Sequence, residues 1–268
     1  MKIALVGCGS IGAIIAQAIS DGKLDVELKY VYDSMEEKGK EFAKKFGTQF
    51  KNFDDILKED LDLVIEAASQ EAVKVLVLKI LDAKKNVMIM SAGALADDSL
   101  LQKIKALADK NKLKIYLPSG AIAGLDGVKS ANMDDIETVT LITTKPVKSL
   151  KDAPFFMKNK INPDDIKTKT IIYNGYAKEA AVLFPENINV ATSLSLAGIG
   201  MEKTKVQVIA DPNIERNMHE IKVEGKFGVL TVRTENLPSK NNPKTSYLAA
   251  LSAIATIKKI TEPIQVGT

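Results

Sequence analysis

Three groups of side chains in this chain could do chemistry. The first surrounds His219, the only histidine in 268 residues. It lies in Asp211-Pro212-Asn213-Ile214-Glu215-Arg216-Asn217-Met218-His219-Glu220-Ile221, together with one of the two arginines, two asparagines and three acids. Imidazole is the side chain whose ordinary pKa lies nearest neutrality, so this segment offers a general acid/base. Its plainer reading is a solvated turn between two strands with a surface histidine. The second group is Phe184-Pro185-Glu186-Asn187-Ile188-Asn189-Val190-Ala191-Thr192, whose asparagines either cap a helix or hydrogen-bond a carboxamide or carboxylate. The third, Thr143-Thr144-Lys145-Pro146, ends a strand with a cation, most simply a solvated one.

Such groups need a scaffold, and the N-terminal sequence points to one that carries a co-reactant. Gly7-Cys8-Gly9-Ser10-Ile11-Gly12 follows the apolar run Ile3-Ala4-Leu5-Val6 and precedes Ile14, Ile15, Ala18 and Ile19, which with Ile11 recur at helical spacing. Strand, glycine turn and helix in this order describe a dinucleotide-binding unit. Gly7 allows the tight turn, Gly9 lets backbone approach a pyrophosphate, and Gly12 lets helix pack on strand. The helix start at Ser10 and Ile11 would hold the anion with its amides. A second run, Leu28-Lys29-Tyr30-Val31-Tyr32, ends at Asp33, about twenty residues beyond Gly12, where a carboxylate meets the adenosine ribose hydroxyls. Asp33 repels a 2′-phosphate, so NAD is favoured; NADP stays open, with Lys38 and Lys40 close in sequence. Cys8 occupies a variable slot of the turn and reads as a small filler.

Beyond Asp33 helical stretches at 36–46, 54–58, 71–83 and 99–111 alternate with strand patterns at 61–65, 86–90 and 113–117. The expected class is α/β, with an N-terminal Rossmann doubly wound parallel sheet. Glu66-Ala67-Ala68-Ser69-Gln70, after a strand beside the first, suits the crevice where a dinucleotide runs toward its nicotinamide and makes Ala67 a cofactor contact. Pro118-Ser119-Gly120-Ala121-Ile122-Ala123-Gly124-Leu125-Asp126-Gly127 marks a crossing into a second domain. There, strand patterns at 137–144, 205–210, 219–224 and 228–234, with helices at 177–184 and 187–200, predict an antiparallel α+β layer for substrate and dimerisation. Asn242 as cap and Pro243 in the first turn introduce a last helix to about Lys259, with Leu248, Leu251, Ile254 and Ile257 on one stripe. The expected domains are therefore 1–122, 123–242, and a helix of 243–268 packing back on the first.

Bulk composition argues against several classes. Net charge is +3 with both signs mixed along the chain, which does not suit a nucleic-acid platform. No apolar run has bilayer length, the richest, 73–81, being broken by Lys74 and Lys79. Met1-Lys2 leads directly into the first strand, leaving no room for a secretory signal, so a cytoplasmic location is expected. A single cysteine rules out an internal disulfide and a cysteine-based zinc cluster, and no metal is expected.

The chain resembles the archaeal and bacterial L-aspartate dehydrogenase family. The resemblance runs through Gly7 to Gly12, Ser91-Ala92-Gly93-Ala94, Pro118 to Asp126, Thr144-Lys145-Pro146, Phe184 to Val190 with Leu196-Ala197-Gly198, and Asp211-Pro212 with Arg216 to Ile221. These pieces follow the family order from end to end, and the last three are far more specific than the glycine turn. The resemblance implies that His219 is catalytic and that Asn189 and an alanine of the 119–124 turn, Ala123 ahead of Ala121, contact the nicotinamide cofactor. It further implies a homodimer that uses NAD or NADP to oxidise L-aspartate to iminoaspartate. That product would feed NAD biosynthesis by hand-off to quinolinate synthase, or be hydrolysed to oxaloacetate and ammonia. One imidazole could then serve both proton transfers, and Ser119, Lys145, Asn187 and Arg216 are candidates for holding the two substrate carboxylates. The polar stretch 155–169 has no match in the resemblance.

Two rivals stand beside it. Among two-domain amino-acid or imine reductases, homoserine dehydrogenase is the nearest. A single histidine excludes the His-His pair of dihydrodipicolinate reductases, and Ser91-Ala92-Gly93 stands where sugar-type oxidoreductases have Glu-Lys-Pro. The other rival is a non-catalytic dinucleotide sensor, which would not need His219 beside Arg216.

Overall fold

The computed structural model describes residues 1–239 and 242–268, with the backbone alone at 187 and 242–244. Met1–Pro118 with Ala250–Val266 form one compact unit, and Ser119–Ala249 with Gly267–Thr268 a second.

In the first unit, β1 (Lys2–Val6), α1 (Ser10–Ser20), β2 (Glu27–Tyr32), α2 (Glu36–Phe46), β3 (Gln49–Phe50), α3 (Phe53–Ile56), β4 (Leu63–Glu66), α4 (Gln70–Asp82), β5 (Asn86–Ile89), α5 (Asp98–Asn111) and β6 (Ile115–Tyr116) follow one another. All strands pair in parallel, in the order β3-β2-β1-β4-β5-β6. The order reverses direction between β1 and β4, which opens a crevice at their carboxyl ends. Both strands are buried on both faces, as the unbroken runs Ile3-Ala4-Leu5-Val6 and Leu63-Val64-Ile65 require. Polar residues fix the helix starts: the Ser69 hydroxyl accepts from the Ala72 amide at 3.1 Å to cap α4, and Asp97 accepts from Leu100 at 3.1 Å to cap α5.

The second unit contains α6 (Leu125–Ala131), β7 (Ile136–Pro146), α7 (Pro154–Asn159), β8 (Thr170–Tyr176), α8 (Ala177–Leu183), α9 (Asn189–Ala197), β9 (Lys205–Asp211), β10 (Asn217–Gly225), β11 (Gly228–Asn236), β12 (Pro238–Ser239) and β13 (Asn242–Ser246). Its sheet has the order β11-β10-β7-β9-β8. The antiparallel layer expected from the sequence is corrected here: β7 and β9 run parallel while the other neighbours are antiparallel, so the sheet is mixed. The chain between β7 and β9, which includes α7, β8, α8 and α9, supplies the long crossover that a parallel pair needs. The polar stretch 155–169 conceals part of the core, because Phe155 and Phe156 of α7 are buried and Phe155 stacks on Phe184 at 5.2 Å.

The end of the chain also differs from expectation. Asn242 and Pro243 belong to β13, and the last helix, α10 (Tyr247–Thr261), begins only after it. Leu251 is exposed, and the buried stripe is instead Ala250, Ala253 and Ile257. Ala253 and Ile257 join the first unit's core around Ile3, Leu5, Ile15, Ile65 and Met88. Each large aliphatic side chain buried there contributes about 1.5–3 kcal/mol. Among the described residues no helix is long and apolar enough to cross a membrane.

Candidate active site

After β1 each glycine of the turn meets a different constraint. Gly7 has φ +104°, and a Cβ there would stand 2.5 Å from the Ala67 carbonyl oxygen. A Cβ on Gly12 would overlap the Gly7 carbonyl oxygen, so α1 packs on the turn with no room for a side chain. A Cβ on Gly9 would meet nothing within 4 Å, and Gly9 heads α1 without a side-chain cap. The turn is thus tight at its two ends and open in the middle, where the amides of the helix start, at Ser10 and Ile11, can take an anion.

Asp33 follows β2 and is 8% exposed. Its Oδ2 accepts from the Cys8 amide and from Lys38 Nζ, both at 2.9 Å, and its Oδ1 from the Met35 amide at 3.0 Å. Burial pushes this carboxyl up, but the Cys8 amide, Lys38 and the Met35 amide outweigh it and hold the pKa below the usual range. A cleft of about 310 Å³ is lined by Gly7, Tyr32, Asp33, Ser34, Ala68 and Ser69. An open backbone cradle at Gly9 and a carboxylate in the adjoining cleft fit the pyrophosphate and adenosine ribose of a dinucleotide. Ala67 stands behind Gly7, with Ala68 and Ser69 on the cleft wall. Burial, with Asp33 adding, pushes the Cys8 thiol up to about 12, which suits an inert filler.

Glu66 heads the segment expected at this crevice without being one of its expected contacts, yet it organises the crevice. It is fully buried at the end of β4. Its Oε1 accepts from the Ala68 amide at 2.8 Å and the Ser91 hydroxyl at 2.9 Å, and its Oε2 from the Ser91 amide at 3.0 Å. One carboxyl therefore ties the turn after β4 to the turn after β5. Burial raises its pKa against the opposing pull of the Ser91 and Ala68 donors. The available signal was a charge closing the apolar run Leu63-Val64-Ile65.

In the second unit, β7, β10 and β11 carry a polar cluster on one sheet face. Register sets it: His219 pairs with Thr143 on β7 and Thr234 on β11, and Asn217 pairs with Asn236. The two-residue period of a strand puts Lys145 on the face of Thr143. Thr143, Lys145, Asn217, His219 and Asn236 are all buried. His219 is thus inside strand β10 and 4% exposed, which removes the reading as a surface histidine. Its Nδ1 lies 3.1 Å from the Thr143 hydroxyl. Burial pushes the imidazole down to about 3, the Lys145 ammonium adding to the effect, so the ring is neutral at physiological pH. Burial likewise lowers Lys145 to about 8, with Glu186 opposing, and the solvated cation expected there is corrected to an interior one.

The 119–124 turn is fastened to the same face. The Ala121 carbonyl accepts from Thr234 Oγ1 at 3.0 Å and from Asn236 Nδ2 at 2.9 Å. Neither donor stood out in the sequence, where the only hint was two polar side chains at strand spacing. Ala121 is buried, Ala123 exposed, and Ser119 half-buried. Asn189 is half-buried in the first turn of α9, behind Ile188 at the cap position, so it is not the cap. Arg216 is exposed on the loop between β9 and β10, outside the buried cluster. The Asn187 side chain lies outside the described residues.

Comparisons with known proteins cover the whole chain. The sequence family described as "Aspartate dehydrogenase, C-terminal" matches residues 126–260, and "Homoserine dehydrogenase, NAD binding domain" matches residues 7–118. L-aspartate dehydrogenase of Methanosarcina barkeri is 49% identical over 100% of both chains, and that of Methanococcoides burtonii 50% over 100% of both. The crystal structure of aspartate dehydrogenase from Thermotoga maritima superposes with a TM-score of 0.75 at 29% identity, covering 100% of this chain and 99% of that one. With relatives this similar over their full length, the chain belongs to the L-aspartate dehydrogenase family.

Proposed function

We propose that the protein oxidises L-aspartate to iminoaspartate, with a nicotinamide dinucleotide held at the glycine turn of the first unit and proton transfer carried by His219 in the second. The observation that supports this most is the buried imidazole of His219, 3.1 Å from the Thr143 hydroxyl and on the same sheet face as Lys145. The glycine turn and Asp33 would hold the dinucleotide, whose nicotinamide would supply the acceptor for the hydride of the aspartate α-carbon. Before the hydride leaves, the substrate ammonium must lose a proton. The substrate's negative carboxylates beside the ring favour its protonated form, and His219 can then take the proton on Nε2 while Thr143 at Nδ1 sets the ring's orientation. Lys145 offers a desolvated charge to one substrate carboxylate, and a carboxylate there would draw its pKa back up. If the imine is hydrolysed in place, His219 first releases the ammonium's proton to solvent, takes one from the water that attacks the imine carbon and returns it to the carbinolamine nitrogen; the C–N bond then breaks as the hydroxyl loses its proton, releasing oxaloacetate and ammonia.

The remaining roles belong to the same proposal. Ser119, Asn187 and Arg216 complete the carboxylate contacts, and Asn189 with Ala123 or Ala121 contacts the nicotinamide. The protein works as a homodimer, and its product supplies NAD biosynthesis through quinolinate synthase. The family description matching residues 7–118 keeps homoserine oxidation as the second reading. The test follows reduced-cofactor absorbance with L-aspartate and L-homoserine, each with NAD and NADP, for the native protein and His219→Asn. Turnover of L-aspartate is expected, falling about 10²- to 10⁴-fold in His219→Asn while cofactor binding persists. Turnover of homoserine alone would overturn the proposal, as would dinucleotide binding with no turnover of either amino acid.

A further inference from the structure

The adenosine end of the first unit's cleft holds an ion pair that the proposed reaction does not use. Two backbone amides, Cys8 and Met35, fix the Asp33 carboxylate, whose side chain is 9% exposed. Lys38 reaches the same carboxylate at 2.9 Å from α2 on a flexible stem, and its own side chain is 43% exposed. The carboxylate is therefore static and the ammonium can swing. A ribose hydroxyl donating to Asp33 would sit about 3 Å from it. Lys38 Nζ is then within about two hydrogen-bond lengths of that hydroxyl, the point at which a 2′-phosphate would be attached.

Lys40, the other lysine nearby, is held by Glu36 at 2.7 Å and Glu37 at 3.4 Å along the surface of α2. Only Lys38 of the two shares the carboxylate that reads the ribose. An unpaired Asp33 would repel the roughly two negative charges of a 2′-phosphate. Paired with Lys38 it presents almost no net charge, and the ammonium can turn from the carboxylate to an incoming phosphate oxygen.

We propose that Lys38 determines cofactor specificity: resting on Asp33 it leaves the carboxylate to a ribose 2′-hydroxyl, and turned onto a 2′-phosphate it neutralises that group, so that the cleft takes both forms of the dinucleotide. The inference rests on the dinucleotide reading of the first unit. Losing a charge-assisted hydrogen bond to phosphate corresponds to about a tenfold to hundredfold loss of affinity. A ribose hydroxyl, by contrast, gains from the removal of a competitor for Asp33.

The test is calorimetric titration of the full chain with 5′-AMP and adenosine 2′,5′-bisphosphate, joined by fluorescence titration with NADH and NADPH. Native protein, Lys38→Met and Lys40→Met are compared. The expected result is that the native protein binds both members of each pair. Lys38→Met should shift the ratio about tenfold to a hundredfold against the 2′-phosphorylated member, and Lys40→Met less than about twofold. A ratio unmoved in Lys38→Met, an equal shift in Lys40→Met, or native protein that takes no bisphosphate would overturn the proposal. Folded native protein that binds neither NADH nor 5′-AMP would instead remove the dinucleotide reading beneath it.

Discussion

Gly7 and Gly9 stand two residues apart in one turn, yet alanine should damage them in opposite ways. At Gly7 the backbone holds φ +104°, and the new Cβ would stand 2.5 Å from the Ala67 carbonyl oxygen, 2.6 Å from its carbon and 2.7 Å from the Ala68 nitrogen. All three are backbone atoms of a turn that Glu66 anchors, so none can swing aside. Backbone strain of about 1–3 kcal/mol and overpacking of about 1–3 kcal/mol sum to about 2–6 kcal/mol. Against a typical total of about 5–15 kcal/mol, this is a large loss. At about 2–4 °C per kcal/mol for a chain of this size, the Tm of Gly7→Ala should fall by roughly 5–20 °C. Gly9 has φ −85° and its Cβ would meet nothing, so alanine costs only a weaker helix start, about 0.5–1 kcal/mol. Its methyl would, however, fill the opening proposed for the pyrophosphate, and NADH affinity should fall at least about tenfold. Differential scanning calorimetry and NADH fluorescence titration read the two effects separately. Gly9→Ala as unstable as Gly7→Ala, or binding NADH as tightly as the native protein, would refute the reasoning.

Two further expectations concern the second unit. The folded pKa of His219 is depressed to about 3 from an ordinary 6.5, so the unfolded chain binds the extra proton between these values. Stability should therefore decline as pH falls from about 6.5 toward 3, by up to about 1.4 kcal/mol per pH unit. Guanidinium titrations at stepped pH should show a shallower slope in His219→Gln, and identical slopes would count against the buried neutral ring. Lys145, depressed to about 8 from 10.5, predicts a rise in stability between those values that Lys145→Met should lack. Asn236→Ala removes one of the two donors to the Ala121 carbonyl and should cost about 0.5–1.5 kcal/mol. If the 119–124 turn contacts the cofactor, the cofactor KM should rise several-fold with kcat nearly constant; a loss confined to kcat would argue otherwise.

The first unit was easy to read because parallel strands buried on both faces appear as unbroken apolar runs, and a glycine turn has fixed spacing. The helix expected at 36–46 is α2, residue for residue. Strand direction in the second unit was not readable, since parallel and antiparallel strands can share the same alternation; β7 and β9 show this. The burial of His219 and its pairing with Thr143 are hidden for a different reason. Its neighbours Met218 and Glu220 are polar or half-exposed on the other face, and its partner Thr143 lies 76 positions away, so only register reveals the pair. Thr234 and Asn236 leave little trace in the sequence because their task is to hold a backbone carbonyl, which no side-chain pattern announces.

The carboxyl of Glu66 gives the crevice floor a mechanical character that its rim lacks. Residues 68 and 91 cannot separate without stripping donors from a buried carboxyl, at about 1–3 kcal/mol for each group left unpaired. Floor and rim therefore differ in how they tolerate redesign. Exchanging the residue at 38 should retune which ligand is accepted while leaving the sheet undisturbed. Exchanging the residue at 66 or 91 alone should loosen two turns together, so that any new ligand grafted onto this sheet would require both positions to be rewritten as a single joint.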